Sequence, residues 1–195
     1  SVDCAGCSST PPQRRTTALT LNQSQKQAIA TILQKETGTH LLHGITGSGK
    51  TAVYIELAKH TVAAGRSVII LVPEIALTPQ LIAEFTPHFS DVHVTHSTMT
   101  EAARHKLWRQ ILNSSTPQVI IGPRSALFMP VQDLGLIVID ECHEPAFKQD
   151  KSPRYSALRA AAMLSQFASA RVVLGSATPL VTDYFLAQKT NAVVT

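Results

Sequence analysis

The sequence predicts an α/β fold in three layers, a parallel sheet with helices on both faces. Two observations lead there. Strand-like blocks at residues 40–43, 68–72, 92–96, 119–121, 136–139 and 172–174 alternate with blocks of helical periodicity at 22–34, 50–64, 78–85, 101–113, 155–167 and 180–188. The strand blocks are apolar and β-branched with little polar alternation, as strands covered on both faces must be. Strand and helix taking turns make βαβ units, whose ligands collect at the carboxyl ends of the strands. At 195 residues, 44% hydrophobic and 15% charged, the chain has enough material for one domain with a full core. Its composition excludes disordered and collagen-like classes.

Residues 1–18 read as a linker, with Ser-Ser-Thr-Pro-Pro followed by Arg14 and Arg15 and no apolar period. Residues 19–195 are expected to form one domain. Three cysteines, Cys4, Cys7 and Cys142, are an odd number and argue against a disulfide framework, so a reducing, cytoplasmic setting is expected. Cys4-Ala-Gly-Cys7 could be half a zinc site, but no second Cys or His pair lies nearby, so no zinc is expected and both are read as linker residues. The longest apolar runs, 67–73 and 134–139, fall far short of the ~20 residues that cross a bilayer. No membrane partner is expected. A net charge of +4 permits nucleic-acid contact without demonstrating it.

The first helix begins at Asn22, a plausible N-cap, and carries Ala28, Ile29, Ile32 and Leu33 on one face. The first strand then runs into Gly44-Ile-Thr46-Gly47-Ser48-Gly49-Lys50-Thr51, which fits G-x-x-x-x-G-K-[ST] and opens the second helix. Gly44, Gly47 and Gly49 let the backbone turn its N–H groups towards phosphate oxygens, and the helix N-terminus adds a positive dipole end. Lys50 is placed for the β/γ phosphates of ATP, and the Thr51 hydroxyl for Mg²⁺.

Residues 136–139 form an apolar strand that ends in Asp140-Glu141-Cys142-His143. Asp140 is placed to hold Mg²⁺, and Glu141 to orient or deprotonate an attacking water. Cys142 reads as a packing residue beside the site.

Asp140-Glu-Cys-His143 resembles the D-E-x-H box of superfamily 2 helicases, and Ser176-Ala-Thr178 resembles their motif III. Leu71-Val-Pro-Glu-Ile-Ala-Leu-Thr-Pro-Gln80, Ile121-Gly-Pro-Arg-Ser-Ala-Leu-Phe128, Lys148-Gln149, Pro153-Arg-Tyr155 and Gly175-Ser-Ala-Thr-Pro179 narrow the resemblance to the PriA family of replication-restart helicases, over residues 19–188. The family box is usually Asp-Glu-Glu-His, a Glu usually stands at the place of Ala52, and His-Ala-Arg usually follows the tyrosine at the place of Tyr155.

The resemblance implies a P-loop NTPase domain of RecA-like fold, the first motor lobe of an ATP-dependent 3′→5′ DNA helicase active in replication restart. Gln25 would read the adenine edge, while His143, Ser176 and Thr178 would couple the nucleotide to the DNA-bound state. Thr78, Arg124, Ser125, Lys148, Arg154 and Tyr155 would contact single-stranded or forked DNA. Implied partners are a second motor lobe, an N-terminal DNA-binding region and primosome proteins. With 17 residues after Thr178, the second lobe and its arginine finger are expected to be absent and the lone lobe to hydrolyse ATP poorly. Two other readings stay open: another superfamily 2 translocase (RecG-like or restriction-type), and a nucleotide-dependent switch that does not translocate.

Overall fold

Among the described residues seven strands, all paired in parallel, make one sheet, which runs Val92–Val94, Val119–Gly122, Ser67–Leu71, Leu134–Ile139, Arg171–Ser176, Gly38–His43, Val193–Val194 from edge to edge. The structure, a computed structural model, describes residues 20–195. The expected linker at 1–18, with Cys4 and Cys7, lies outside the described residues. In chain order the elements are α1 (Gln23–Leu33), β1 (Gly38–His43), α2 (Lys50–Ala63), β2 (Ser67–Leu71), α3 (Pro79–Phe85), β3 (Val92–Val94), α4 (Glu101–Leu112), β4 (Val119–Gly122) and β5 (Leu134–Ile139). There follow β6 (Lys148–Gln149), β7 (Tyr155–Ser156), α5 (Ala157–Ala168), β8 (Arg171–Ser176), α6 (Val181–Lys189) and β9 (Val193–Val194).

Every residue of β2, β4 and β5 is buried. Because side chains alternate across a strand, each strand feeds two cores. Val68, Ile70, Leu136, Val138 and Val173 pack on one face with Ala28, Ile32 and Leu57 from α1 and α2. Ile69, Leu71, Ile137, Ile139 and Val172 pack on the other with Ala157 and Ala161 of α5. The absence of alternation in sequence is thus the signature of this two-sided burial.

Local differences from the expected elements have physical causes. The strand expected at 92–96 ends at Val94: Thr95 N–H still donates to Ile121 at 2.9 Å, but β4 then reaches Pro123, which has no N–H to continue a ladder. The helix expected from Tyr155 starts at Ala157. Ser156 holds extended backbone angles at its N-cap, and Tyr155 and Ser156 pair antiparallel with Gln149 and Lys148. The two-residue β9, paired with Leu41 and Leu42, is too short to show a period in sequence.

One buried side chain in β1 has a thermodynamic consequence. His40 is 2% exposed and neither ring nitrogen finds a hydrogen-bond partner. Burial pushes its pKa below the ordinary 6.5, and the charges of Lys35 and Arg171 push the same way. The folded protein therefore keeps His40 neutral while the unfolded chain takes up a proton. Stability from this group is fully present above the unfolded value and is lost as pH falls through it, at up to about 1.4 kcal/mol per pH unit. His40→Leu is expected to flatten the fall in melting temperature between about pH 7 and pH 5, as measured by calorimetry.

Candidate active site and adjoining groove

The site lies at the carboxyl ends of β1, β5 and β8, where the fold requires a ligand site to be. After His43 the chain leaves the sheet. Gly44 N–H donates to the Ser176 carbonyl at 3.2 Å, which ties the start of the glycine-rich loop to the end of β8. Gly47 and Gly49 take φ of 80° and 81°, left-handed values that a side chain would resist. A Cβ on Gly49 would also run into the Gln25 amide, so α1 presses directly on the loop. The Gln25 amide is fully engaged there. Its Nε2 donates to the Ser48 and Gly49 carbonyls at 3.2 and 3.3 Å, and its Oε1 accepts from Asn22 N–H at 2.9 Å in a capping box.

Lys50 opens α2 with its side chain 9% exposed. Its Nζ donates to the Gly44 carbonyl at 3.0 Å and stands 3.4 Å from Glu141 Oε1. Thr46, Gly47, Gly49, Lys50, Thr51, Asp140 and Glu141 line one open cavity of about 650 Å³, to which Glu84, Pro87 and His88 also contribute.

The acidic segment is held by backbone bonds to both neighbouring strands. Asp140 N–H donates to Leu71 at 2.9 Å, and Cys142 N–H to Gly175 at 2.9 Å. Between them Glu141 adopts φ of 47°. A non-glycine residue in this region stores backbone strain of about 1–3 kcal/mol. That turn brings the Glu141 carboxylate back to Lys50. Asp140 accepts a 2.9 Å hydrogen bond from the buried Tyr54 hydroxyl. Burial raises the Asp140 pKa above the usual carboxylate range, against the lowering effect of that hydrogen bond. Burial also pushes the Cys142 thiol up to about 12, so it is a packed, unreactive group.

His143 joins this segment to β8: its Nδ1 lies 2.8 Å from Ser176 Oγ and 3.5 Å from Glu141 Oε2, and its Nε2 lies 3.8 Å from Glu144. Ser176 Oγ also accepts Thr178 N–H at 3.1 Å. His143, Ser176, Thr178 and Glu141 therefore form one polar chain.

A second cavity, of about 360 Å³, opens beyond the ends of β2 and β4. Pro73, Glu74, Arg124, Ser125, Phe147, Gln149 and Tyr155 line it, so sequence segments expected to touch DNA do gather in one groove. Thr78, Lys148 and Arg154 are exposed but do not line it. Thr78 instead caps α3, accepting Leu81 N–H at 3.2 Å, and Arg154 Nε donates to the Asp150 carbonyl at 3.0 Å. Tyr155 meets Phe128 edge-on at 5.2 Å between ring centres.

Arg124 has a contact that spacing did not reveal. Its Nη1 donates to the carbonyls of Ala146 and Lys148 at 2.7 and 3.0 Å, pinning the loop that follows the acidic segment. Arg124→Ala is expected to speed amide hydrogen exchange over residues 146–149 by about tenfold or more, since both charge-assisted bonds are lost together. Sequence reasoning also missed Glu74, which accepts Ser97 N–H at 2.8 Å and is held below the usual carboxylate range by that contact. Tyr54 was missed too, because a buried aromatic on a helix reads as core.

The profile of the DEAD/DEAH box helicases matches residues 22–184. The chain belongs to that family. Among its relatives, Replication restart protein PriA of Chlamydia trachomatis is 46% identical over 175 residues, covering 85% of this chain and 23% of the relative. The protein of that name from Bacillus subtilis is 41% identical over 181 residues, covering 90% of this chain and 22% of its own length. The chain thus spans a little under a quarter of these relatives. In fold it is similar to RecG bound to a three-way DNA junction, with TM-score 0.65 and 22% identity over 90% of this chain and 24% of that one. It is also similar to the helicase MrfA bound to DNA and AMPPNP, with TM-score 0.61 and 16% identity over 90% of this chain and 27% of that one. A DEAD/DEAH box helicase domain uses nucleotide and metal. No helix among the described residues is long and apolar enough to cross a membrane.

Proposed function

We propose that residues 19–195 are the ATP-binding first motor lobe of a PriA-type 3′→5′ DNA helicase that couples ATP hydrolysis to movement along single-stranded DNA in replication restart. The observation that supports it most is the convergence of Lys50, Thr51, Asp140 and Glu141 on one cavity at the mouth of the glycine-rich loop. The loop amides and Lys50 bind the phosphates, and the dipole of α2 favours their charge. Glu141, swung towards the cavity by its left-handed backbone, takes the proton of the attacking water. Thr51 and Asp140 offer the hard oxygen donors that suit Mg²⁺, and Asp140, half-buried and hydrogen-bonded to Tyr54, is a group whose charge a bound cation would offset. When bound, that ion would offset charge on the β and γ phosphate oxygens.

Gln25 braces the loop through its backbone contacts; reading adenine would require its amide to exchange those bonds for the base. His143, Ser176 and Thr178 carry changes at Glu141 to the end of β8. In the groove, Ser125, Tyr155 and the Arg124-pinned loop face the DNA strand, and Lys148, Arg154 and Thr78, exposed outside its lining, would add contacts beyond it. Phosphate contacts there position the strand, and Tyr155 offers a face for stacking. The whole machine would add a second motor lobe, an N-terminal DNA-binding region and primosome proteins, in a bacterial cytoplasm.

The test places this lobe in the Chlamydia trachomatis relative in exchange for its own. ATP hydrolysis stimulated by single-stranded DNA is the expected result. A chimera that folds and binds DNA yet hydrolyses no ATP would overturn the reading.

A further inference from the structure

We propose that Tyr54 is a positioning residue that sets the spacing between the two groups offered to the metal, Thr51 and Asp140. The proposal rests on the ATP–Mg²⁺ reading above. Tyr54 is 2% exposed on α2, three residues beyond Thr51 and four beyond Lys50, so all three share one side of the helix. Its hydroxyl donates to Asp140 Oδ1 at 2.9 Å. One helix therefore carries the phosphate lysine, the Thr51 hydroxyl and a rigid strut to the carboxylate at the end of β5. The strut fixes how Asp140 turns relative to Thr51, and both residues line the same cavity.

The neighbouring strand is shaped to admit this contact. Gly175 of β8 faces the hydroxyl end of Tyr54, and a Cβ there would fall on the Tyr54 hydroxyl and crowd Asp140 Oδ1 at 3.3 Å. Gly175 also accepts Cys142 N–H at 2.9 Å, so the strand that makes room for the strut holds the acidic turn as well. A buried tyrosine needs some partner for its hydroxyl. A role confined to that need would affect stability alone, whereas a positioning role affects metal affinity separately from nucleotide affinity.

The experiment measures mant-ATP binding in EDTA by fluorescence, Mn²⁺ binding to the ATP-loaded chain by electron paramagnetic resonance, and melting temperature. Unmutated chain should bind both probes. Tyr54→Phe is expected to keep metal-free mant-ATP affinity within about twofold while weakening Mn²⁺ by about tenfold, the usual cost of removing a partner of a metal ligand. Gly175→Ala, whose Cβ would displace the hydroxyl, should weaken Mn²⁺ similarly, and the double variant no further than either single. If Gly175→Ala fails to fold, Tyr54→Phe decides alone. Mn²⁺ affinity unchanged in Tyr54→Phe, or losses that multiply in the double variant, would overturn the proposal. Failure of the unmutated chain to bind mant-ATP would instead remove the ATP reading, and this proposal with it.

Discussion

Glu141→Gln is expected to leave ATP binding intact and to cut DNA-stimulated hydrolysis by about 10²–10⁴, the range for removing a general base. Hydrolysis is read in the full-length relative carrying this lobe. The substitution keeps the shape of the side chain and a group that can accept from Lys50, which now stands 3.4 Å away. It removes the negative charge and the basic oxygen that would take a proton from water. The backbone argues for the same role. Glu141 holds φ of 47°, a conformation that strands and helices do not need, and its effect is to turn the carboxylate towards the cavity. Strain kept at a polar residue lining a cavity fits function better than packing. His143 and Glu144, next along the chain, are tied to the same carboxylate through the imidazole, so loss of its charge should also be felt at Ser176. A bound, unhydrolysed nucleotide in equilibrium filtration, beside near-zero phosphate release, is the expected pair of readings. Loss of binding together with turnover would place Glu141 in the fold and not in the chemistry.

Lys50→Ala is expected to fail earlier, at binding. The Lys50 side chain is 9% exposed and carries its charge to the mouth of the glycine-rich loop. Truncating a buried partner of a charged contact costs about 2–5 kcal/mol, or some 30-fold and more in affinity. Part of that loss comes from the Glu141 carboxylate, whose charge would then face the phosphates without its nearest cation. Hydrolysis at saturating ATP should fall by a further 10²–10³ or so, because a donor aimed at developing phosphate charge is gone. The two variants therefore separate: Glu141→Gln holds nucleotide without cleaving it, while Lys50→Ala does neither. Titration of mant-ATP against both variants reads the difference directly.

Which features could be seen in the sequence follows from how local each one is. The loop from Gly44 to Thr51 and the segment from Asp140 to His143 are continuous, so residue type and spacing carried them. The sheet was legible because two-sided burial leaves a mark in every central strand, as in β2 and β5. The Tyr54–Asp140 bond spans 86 positions, and nothing near Tyr54 distinguishes it from an aromatic of the core. Arg124 was read as a DNA contact from its motif. Its bonds to Ala146 and Lys148 reach across 22 and 24 positions and exist only because β4 and β5 bring their outgoing loops to one side of the sheet. Gln25 shows the same limit. Its place in a capping box could be read from Asn22-Gln-Ser-Gln25, but its grip on Ser48 and Gly49 depends on how α1 lies against the loop. Elements of two residues, such as β6, β7 and β9, are set by tertiary pairing and have no period to read.

The most direct test of the central claim is equilibrium binding of mant-ATP to this chain in the presence of Mg²⁺, with Lys50→Ala beside it. Saturable one-site binding that Lys50→Ala weakens by about 30-fold or more is the predicted result. No saturable binding, or an affinity that Lys50→Ala leaves unchanged, would contradict the account.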